Sequence, residues 1–137
     1  MNYQELKQIQ RKRVNEFPMR FAFNDAQFQE ILDEWEIDRN EMKDKLYKIP
    51  GGGFIRKTDS DALAELVELN AKEMRDAIKD DEFLTEALEY ELANHEYCIT
   101  YDPADALDVL GLDPKRLTAR EKDCLKKAKE RYWANLQ

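Results

Sequence analysis

"KIPGGGFIRKTDSDA", residues 48–62, holds three of the four glycines in the chain, and its reading separates two kinds of protein. Glycines at the entrance of a helix can cradle a phosphate, whereas glycines between two apolar runs turn a hairpin. A phosphate loop needs Gly-Lys-Ser/Thr at the helix start, so that backbone N–H groups and the lysine meet the anion together. Here Gly53 leads into Phe54-Ile55-Arg56, and the next helical pattern starts only near Ser60. The dinucleotide fingerprint fails as well, because no further glycine stands at the helix-entry spacing. The stretch therefore reads as a hairpin, with "KLYKI" (45–49) and "GFIRK" (53–57) flanking Pro50-Gly51-Gly52. Pro50 supplies the fixed negative φ of a type I turn, and Gly52 takes the left-handed position. In that register Ile49 opposes Gly53 and Tyr47 opposes Ile55. Tyr47, Ile49 and Ile55 then share one face, and Leu46, Lys48, Phe54 and Arg56 the other; a register shifted by one residue mixes the faces more.

Outward from the hairpin, helical periodicity dominates. Residues 3–16 carry a thin stripe around Leu6 and Ile9, which predicts a peripheral or partner-facing helix that Pro18 stops. "MRFAF" (19–23) alternates as a short strand. Asn24 can cap a second helix through about residue 36, with Gln27 completing a capping box and Phe23 stapled to Phe28. A long helix over 60–79 follows, capped by Asp59 or Thr58. The next helix, "DDEFLTEALEYELANHEY", places Phe83, Leu84, Ala87, Leu88 and Leu92 at helical spacing. "YCIT" (97–100) reads as a strand, Asp102-Pro103 opens a short helix that Gly111 ends, and Thr118 with Glu121 caps the last one. The sum is one α+β domain spanning 1–137: a small, mostly antiparallel sheet of three to four strands covered by about six helices.

Composition bounds the function. At 38% charged residues the chain is heavily solvated, and no apolar run approaches the ~18 residues that cross a bilayer. The first residues lack the apolar core of a signal peptide, which predicts a cytoplasmic protein. Cys98 and Cys124 match no zinc or redox spacing and are expected as reduced, part-buried thiols. The net charge of −8 is unevenly spread: +3 over residues 1–20, −16 over 24–113 and +5 over 114–137. Basic peripheral helices at 1–17 and 114–137 thus flank an acidic centre at 18–113. Their arginines and lysines could track a phosphate backbone, but the acidic centre repels polyanions and no groove-reading motif is present.

Catalytic chemistry has one candidate location, "YELANHEYCITYD" (90–102), which holds the only histidine. Glu91 and His95, four apart, share a helix face and could act as orienting carboxylate and general base, with Asp102 just beyond. The competing reading makes His95 the buried end of a helix. Cys98 is too close in sequence, across a helix end, to align with His95 as a nucleophile. His95, Cys98 and Asp102 follow no known ligand spacing, so no metal and no cofactor is assigned, and a small hydrolase-like or metal-dependent site centred on Glu91, His95 and Asp102 is the alternative reading.

The segments "FAFNDAQF", "GGGFIRKTDSDA" and "ELANHEYCITYDPADALDVLGL" resemble an uncharacterised family of small acidic proteins encoded in bacterial mobile genetic elements such as conjugative plasmids and prophages. The resemblance covers residues 19–112. It implies a bacterial cytoplasm and accessory roles in modulating host defence or element transfer, and it carries no activity to transfer onto any residue. The expectation is a non-catalytic protein that acts by binding another macromolecule, a protein before a nucleic acid, with no membrane association. Phe54 and Arg56 on the sheet, and the loop around His95, Tyr97 and Tyr101, are the candidate contact residues.

Overall fold

A computed structural model describes residues 1–136. The helices are α1 (Tyr3–Glu16), α2 (Asp25–Glu34), α3 (Met42–Lys45), α4 (Ser60–Ala77), α5 (Asp81–Asn94), α6 (Tyr97–Thr100), α7 (Ala104–Val109) and α8 (Ala119–Asn135). The strands β1 (Arg20–Phe21), β2 (Leu46–Ile49) and β3 (Gly53–Arg56) form one antiparallel sheet in the order β1-β3-β2. This is an α+β fold. Among the described residues no helix is long and apolar enough to cross a membrane. The chain divides into two compact units, residues 11–69 and residues 1–10 with 70 onward.

The unit of residues 11–69 is built on the hairpin. Its register pairs Tyr47 with Ile55 and Ile49 with Gly53, as the loop length requires. The turn differs in type: Gly51 as well as Gly52 has positive φ, 86° and 83°. Positive φ directly after proline belongs to a type II turn, a conformation open to glycine because it lacks a Cβ. Gly53 is constrained differently. A Cβ there would stand 2.6 Å from Ile49 Cγ1 and 2.8 Å from the Phe21 ring, so β1 and β2 both close on it. Leu32, Ile37 and Leu46 form the small core, with Phe28 packed on Phe54 at 5.0 Å between ring centroids. The expected staple is absent. Phe23 is exposed, its ring against Gly52, because Phe28 is taken by Phe54. Asn24 caps α2 by accepting from the Gln27 N–H, and Gln27 accepts from the Phe23 N–H, one residue earlier than a capping box has it.

The second unit is built around α5. Leu84, Ala87, Leu88 and Leu92 are fully buried, Glu91 is buried on the same face, and Thr85 is buried beside Leu92. So broad a buried face must be covered by other elements. The enclosing elements include α8, its principal neighbour, and α7. Each buried leucine contributes about 1.5–3 kcal/mol. Both basic end helices supply core residues, Tyr3 and Leu6 from α1 and Cys124, Leu125, Ala128 and Tyr132 from α8, where a thin stripe had predicted a peripheral α1. The Thr118–Glu121 capping box is formed. Gly111 ends α7 with φ 74°, and the Leu112 N–H reaches back to the Leu107 carbonyl, a Schellman closure.

Residues 97–100 are a helical turn, not the strand predicted. β-Branched and aromatic residues favour strands only where a partner strand exists. None lies beside Tyr97–Thr100; instead Tyr97 is buried against Tyr132 and Trp133.

The two glycines of the hairpin should respond differently to substitution. Gly51→Asn, which meets open space and keeps a residue tolerant of positive φ, is expected within ~0.5 kcal/mol of wild type by denaturant unfolding. Gly53→Ala is expected to lose about 1–3 kcal/mol through overpacking against Ile49. A neutral Gly53→Ala would mean that the close approach is not a constraint.

Candidate functional site

Among the described residues Glu91 is the one carboxylate fully removed from solvent. It faces inward from α5 and gathers donors from two helices far apart in sequence. The Tyr3 hydroxyl donates to Oε1 at 2.6 Å, Lys7 Nζ donates to the same oxygen at 3.0 Å, and Asn94 Nδ2 donates to Oε2 at 3.2 Å. Lys7 also stands over the rings of Tyr3 and Tyr90, at 5.2 and 5.0 Å from their centroids. Burial pushes the Glu91 carboxyl up, but the bonds from Tyr3, Lys7 and Asn94 and the charge of Lys7 outweigh it, and the group titrates below the usual carboxylate range. Tyr3 is driven the other way, well above a free phenol, first by burial and then by its bond to Glu91.

His95 is the C-cap of α5, and its Nε2 lies 3.3 Å from Glu91 Oε2. That nitrogen is buried and makes no hydrogen bond, so the pair is a contact without the alignment of a proton relay. A general base needs an oxygen or nitrogen open to a substrate proton. Both Glu91 oxygens are already engaged, and Nε2 is turned onto one of them. Asp102 does not join the pair; its Oδ1 accepts from the Ala104 N–H at 2.9 Å and starts α7. Among the described residues no group of three His, Cys, Asp or Glu side chains is placed to hold a metal ion. The cluster thus anchors α1 to α5. Sequence reading found Glu91 and His95 but not Tyr3, Lys7 or Asn94. The Tyr3–Lys7 spacing of four residues marks one helix face, and nothing in sequence says which carboxylate 84 to 88 residues away that face meets.

The remaining candidates fall in two places. Phe54 is half-buried against Phe28, and Arg56 is held by Asp59 at 2.9 Å and lies 5.2 Å over the Trp35 ring. In the other unit Tyr97 is buried, whereas Tyr101 is 69% exposed. Glu96 and Tyr101, at either end of α6, both sit in the left-handed region, with φ 53° and 54°. For residues with a Cβ this costs about 1–2 kcal/mol each. Packing holds the turn: Tyr97 contacts Tyr132 and Trp133, Tyr101 stacks on Trp133 at 5.8 Å, and the Cys98 N–H donates to the Tyr132 hydroxyl at 2.8 Å. Ile99, 70% exposed, lies in sequence between the two strained residues, and Trp133, which Tyr101 stacks on, is 38% exposed. Ile99 and Trp133 were not singled out from sequence, because only the turn exposes Ile99 and brings Trp133 beside Tyr101.

Three basic residues of α8 pair with carboxylates of α5 or of α8 itself. Arg120 pairs with Asp81 at 2.7 Å, Arg131 makes two bonds to Glu82 at 2.8 and 3.0 Å, and Lys127 pairs with Asp123.

Glu91→Ala is expected to lose about 3–5 kcal/mol, since it strips the partner from a half-buried lysine. Glu91→Gln keeps the shape and is expected to lose less. Because the folded carboxyl titrates below its unfolded value of about 4.3, Glu91 gives its full contribution above that pH and loses it in acid. The gap in unfolding free energy between wild type and Glu91→Gln should therefore be constant near neutrality and close below about pH 4. A gap that widens on acidification would show a carboxyl whose pKa is raised, not lowered, on folding.

No curated protein and no solved structure matches the chain. The model of the DUF7659 family matches residues 2–135, a span that takes in the Tyr3–Glu91 anchor, the hairpin and the aromatic turn at Tyr101 and Trp133. On that match the chain belongs to DUF7659, a family of unknown function.

Proposed function

We propose that this protein is a non-catalytic accessory protein of a bacterial mobile element that works in the cytoplasm by binding a protein, and that the turn 97–101 makes the contact. One observation carries the reading: Ile99 and Tyr101 stand exposed on a turn bracketed by two strained residues and backed by Trp133. Strain of this kind persists where surrounding packing over-determines it, and such positions cluster at functional sites. Tyr and Trp are also the residues that dominate binding energy at protein interfaces, because each brings a large rigid surface with a polar handle. A turn already fixed by Tyr97 and Tyr132 loses little freedom on docking. The engaged oxygens of Glu91 favour a binding role over a hydrolytic one. The internal pairing of Arg120, Arg131 and Lys127 favours a protein over a nucleic acid. Modulation of host defence or control of element transfer are the processes in which such a protein would act.

The test compares wild type with an Ile99→Gln/Tyr101→Asn variant as bait in a nuclease-treated bacterial lysate. Asparagine tolerates the left-handed position, so the variant is expected to fold with a loss of about 1 kcal/mol from the missing Tyr101–Trp133 stack. Wild type should retain a stoichiometric protein that the variant releases. Retention by both would remove the turn from the interface, and loss of all partners on nuclease treatment would make the target a nucleic acid.

A further inference from the structure

We infer that the unit of residues 11–69 carries a binding site for a small aromatic anion, in the cleft between α3 and the hairpin. The cleft has a volume of about 510 Å³ and is lined by side chains from α2, α3, β2, β3 and the turn that follows β3. That volume lies within the range of about 300–1,000 Å³ typical of ligand sites. Its floor is apolar: Phe28, Met42, Leu46 and Phe54, with Tyr47 at one side. The Phe28 and Phe54 rings meet at 50°, and such ring pairs accept a further flat ring edge-on or offset. Met42 adds a pliable thioether that can follow the outline of a ring.

The rim has the opposite charge from the acidic stretch 24–113 in which it lies. Lys43, Lys48 and Lys57 surround the cleft, and among the described residues none of the three has a carboxylate within ion-pair distance. Lys57 instead lies 4.8 Å over the Tyr47 ring. In a chain of net charge −8, three lysines without a carboxylate partner over an apolar floor form a local positive field. Lys45, next in line on α3, is already bound to Glu41 at 2.6 Å and lies outside the cleft. The charge and the floor together define the occupant: a flat ring seated on Phe28, Met42 and Phe54, with a carboxylate, sulfonate or phosphate reaching Lys43, Lys48 or Lys57. This site is separate from the turn 97–101 and stands or falls independently of it.

The probe is 8-anilinonaphthalene-1-sulfonate, titrated by fluorescence against the full chain, with the uncharged N-phenyl-1-naphthylamine as its matched control. Wild type is expected to bind the sulfonate in preference to the neutral amine, and 2-naphthoate to displace it. The variant Lys43→Gln/Lys48→Gln/Lys57→Gln changes only side chains at the rim and is expected to weaken sulfonate binding on the order of tenfold while leaving the amine unaffected. Met42→Glu, which places a like charge on the floor, should abolish both. Equal binding of the two dyes, sulfonate binding that survives the lysine substitutions, unchanged binding to Met42→Glu or failure of 2-naphthoate to compete would each overturn the assignment.

Discussion

A carboxylate shut away from water has to be met by donors, and Glu91 sets the terms for the unit around it. Removing an ion from water costs several kcal/mol even after relaxation, so the charge persists only if nearly every lone pair is satisfied. Asn94 and the contact from His95 come from the same helix end, but they are not enough. The short bond from Tyr3 and the charged bond from Lys7 have to be brought by α1, which fixes where the first turns of the chain lie against α5. Tyr3 also meets the Phe83 ring edge-on at 6.0 Å, so the same residue that satisfies the carboxylate closes the apolar layer beside it. An apolar contact alone would tolerate α1 sliding along α5. A short directional bond to a buried charge does not, and it gives the pairing its specificity.

The ends of the helices reveal a second constraint. α2 and α5 both stop at a glutamate in the left-handed conformation, Glu36 and Glu96, in the position that glycine takes after α7. After Glu36 the chain returns to α2 through the bond from the Ile37 N–H to the Leu32 carbonyl, and Ile37 is buried as the hydrophobic partner of that closure. After Glu96 the next residue is Tyr97, again buried. In both places burial of the following apolar side chain offsets the strain of the glutamate. The strain is therefore part of how each unit folds.

This explains which features could be read from sequence. The hairpin register follows from Pro50-Gly51-Gly52 and the alternation on either side, because loop length and side-chain period leave few choices. The caps at Asn24, Asp102 and Thr118 were legible for a similar reason: a polar side chain followed by a helical stripe leaves the free N–H groups one local answer. Failures occurred where a distant residue decides. Tyr-Cys-Ile-Thr has the composition of a strand, and only Tyr132 and Trp133, more than thirty residues on, make it a helical turn. Phe23 and Phe28 have staple spacing, yet Phe54 takes Phe28. At the anchor the two in-helix pairs, Tyr3 with Lys7 and Glu91 with His95, are visible separately. Their meeting is a property of the tertiary fold.

The partners of α8 advance in the same order along α5: Arg120 with Asp81, Arg131 with Glu82, Asn135 with Glu89. Two helices that run in the same direction cannot be joined by a tight turn, so the chain must travel back along their length between them, and α6 and α7 are that return. α7 packs on α5 on the way. The consequence is that the C-terminal ends of α5 and α8 lie together, and the return path begins there. Tyr97, Tyr101, Tyr132 and Trp133 cluster at that end because it is where both helices finish. Tyr97 and Tyr132 complete the core, whereas Tyr101 and Ile99 have no core left to enter. Ile99 is 70% exposed, so a polar residue there would have served the fold as well, whereas Tyr101 also steadies the turn through its stack on Trp133. Their exposure at the end of the return path is the observation on which the proposed protein contact rests.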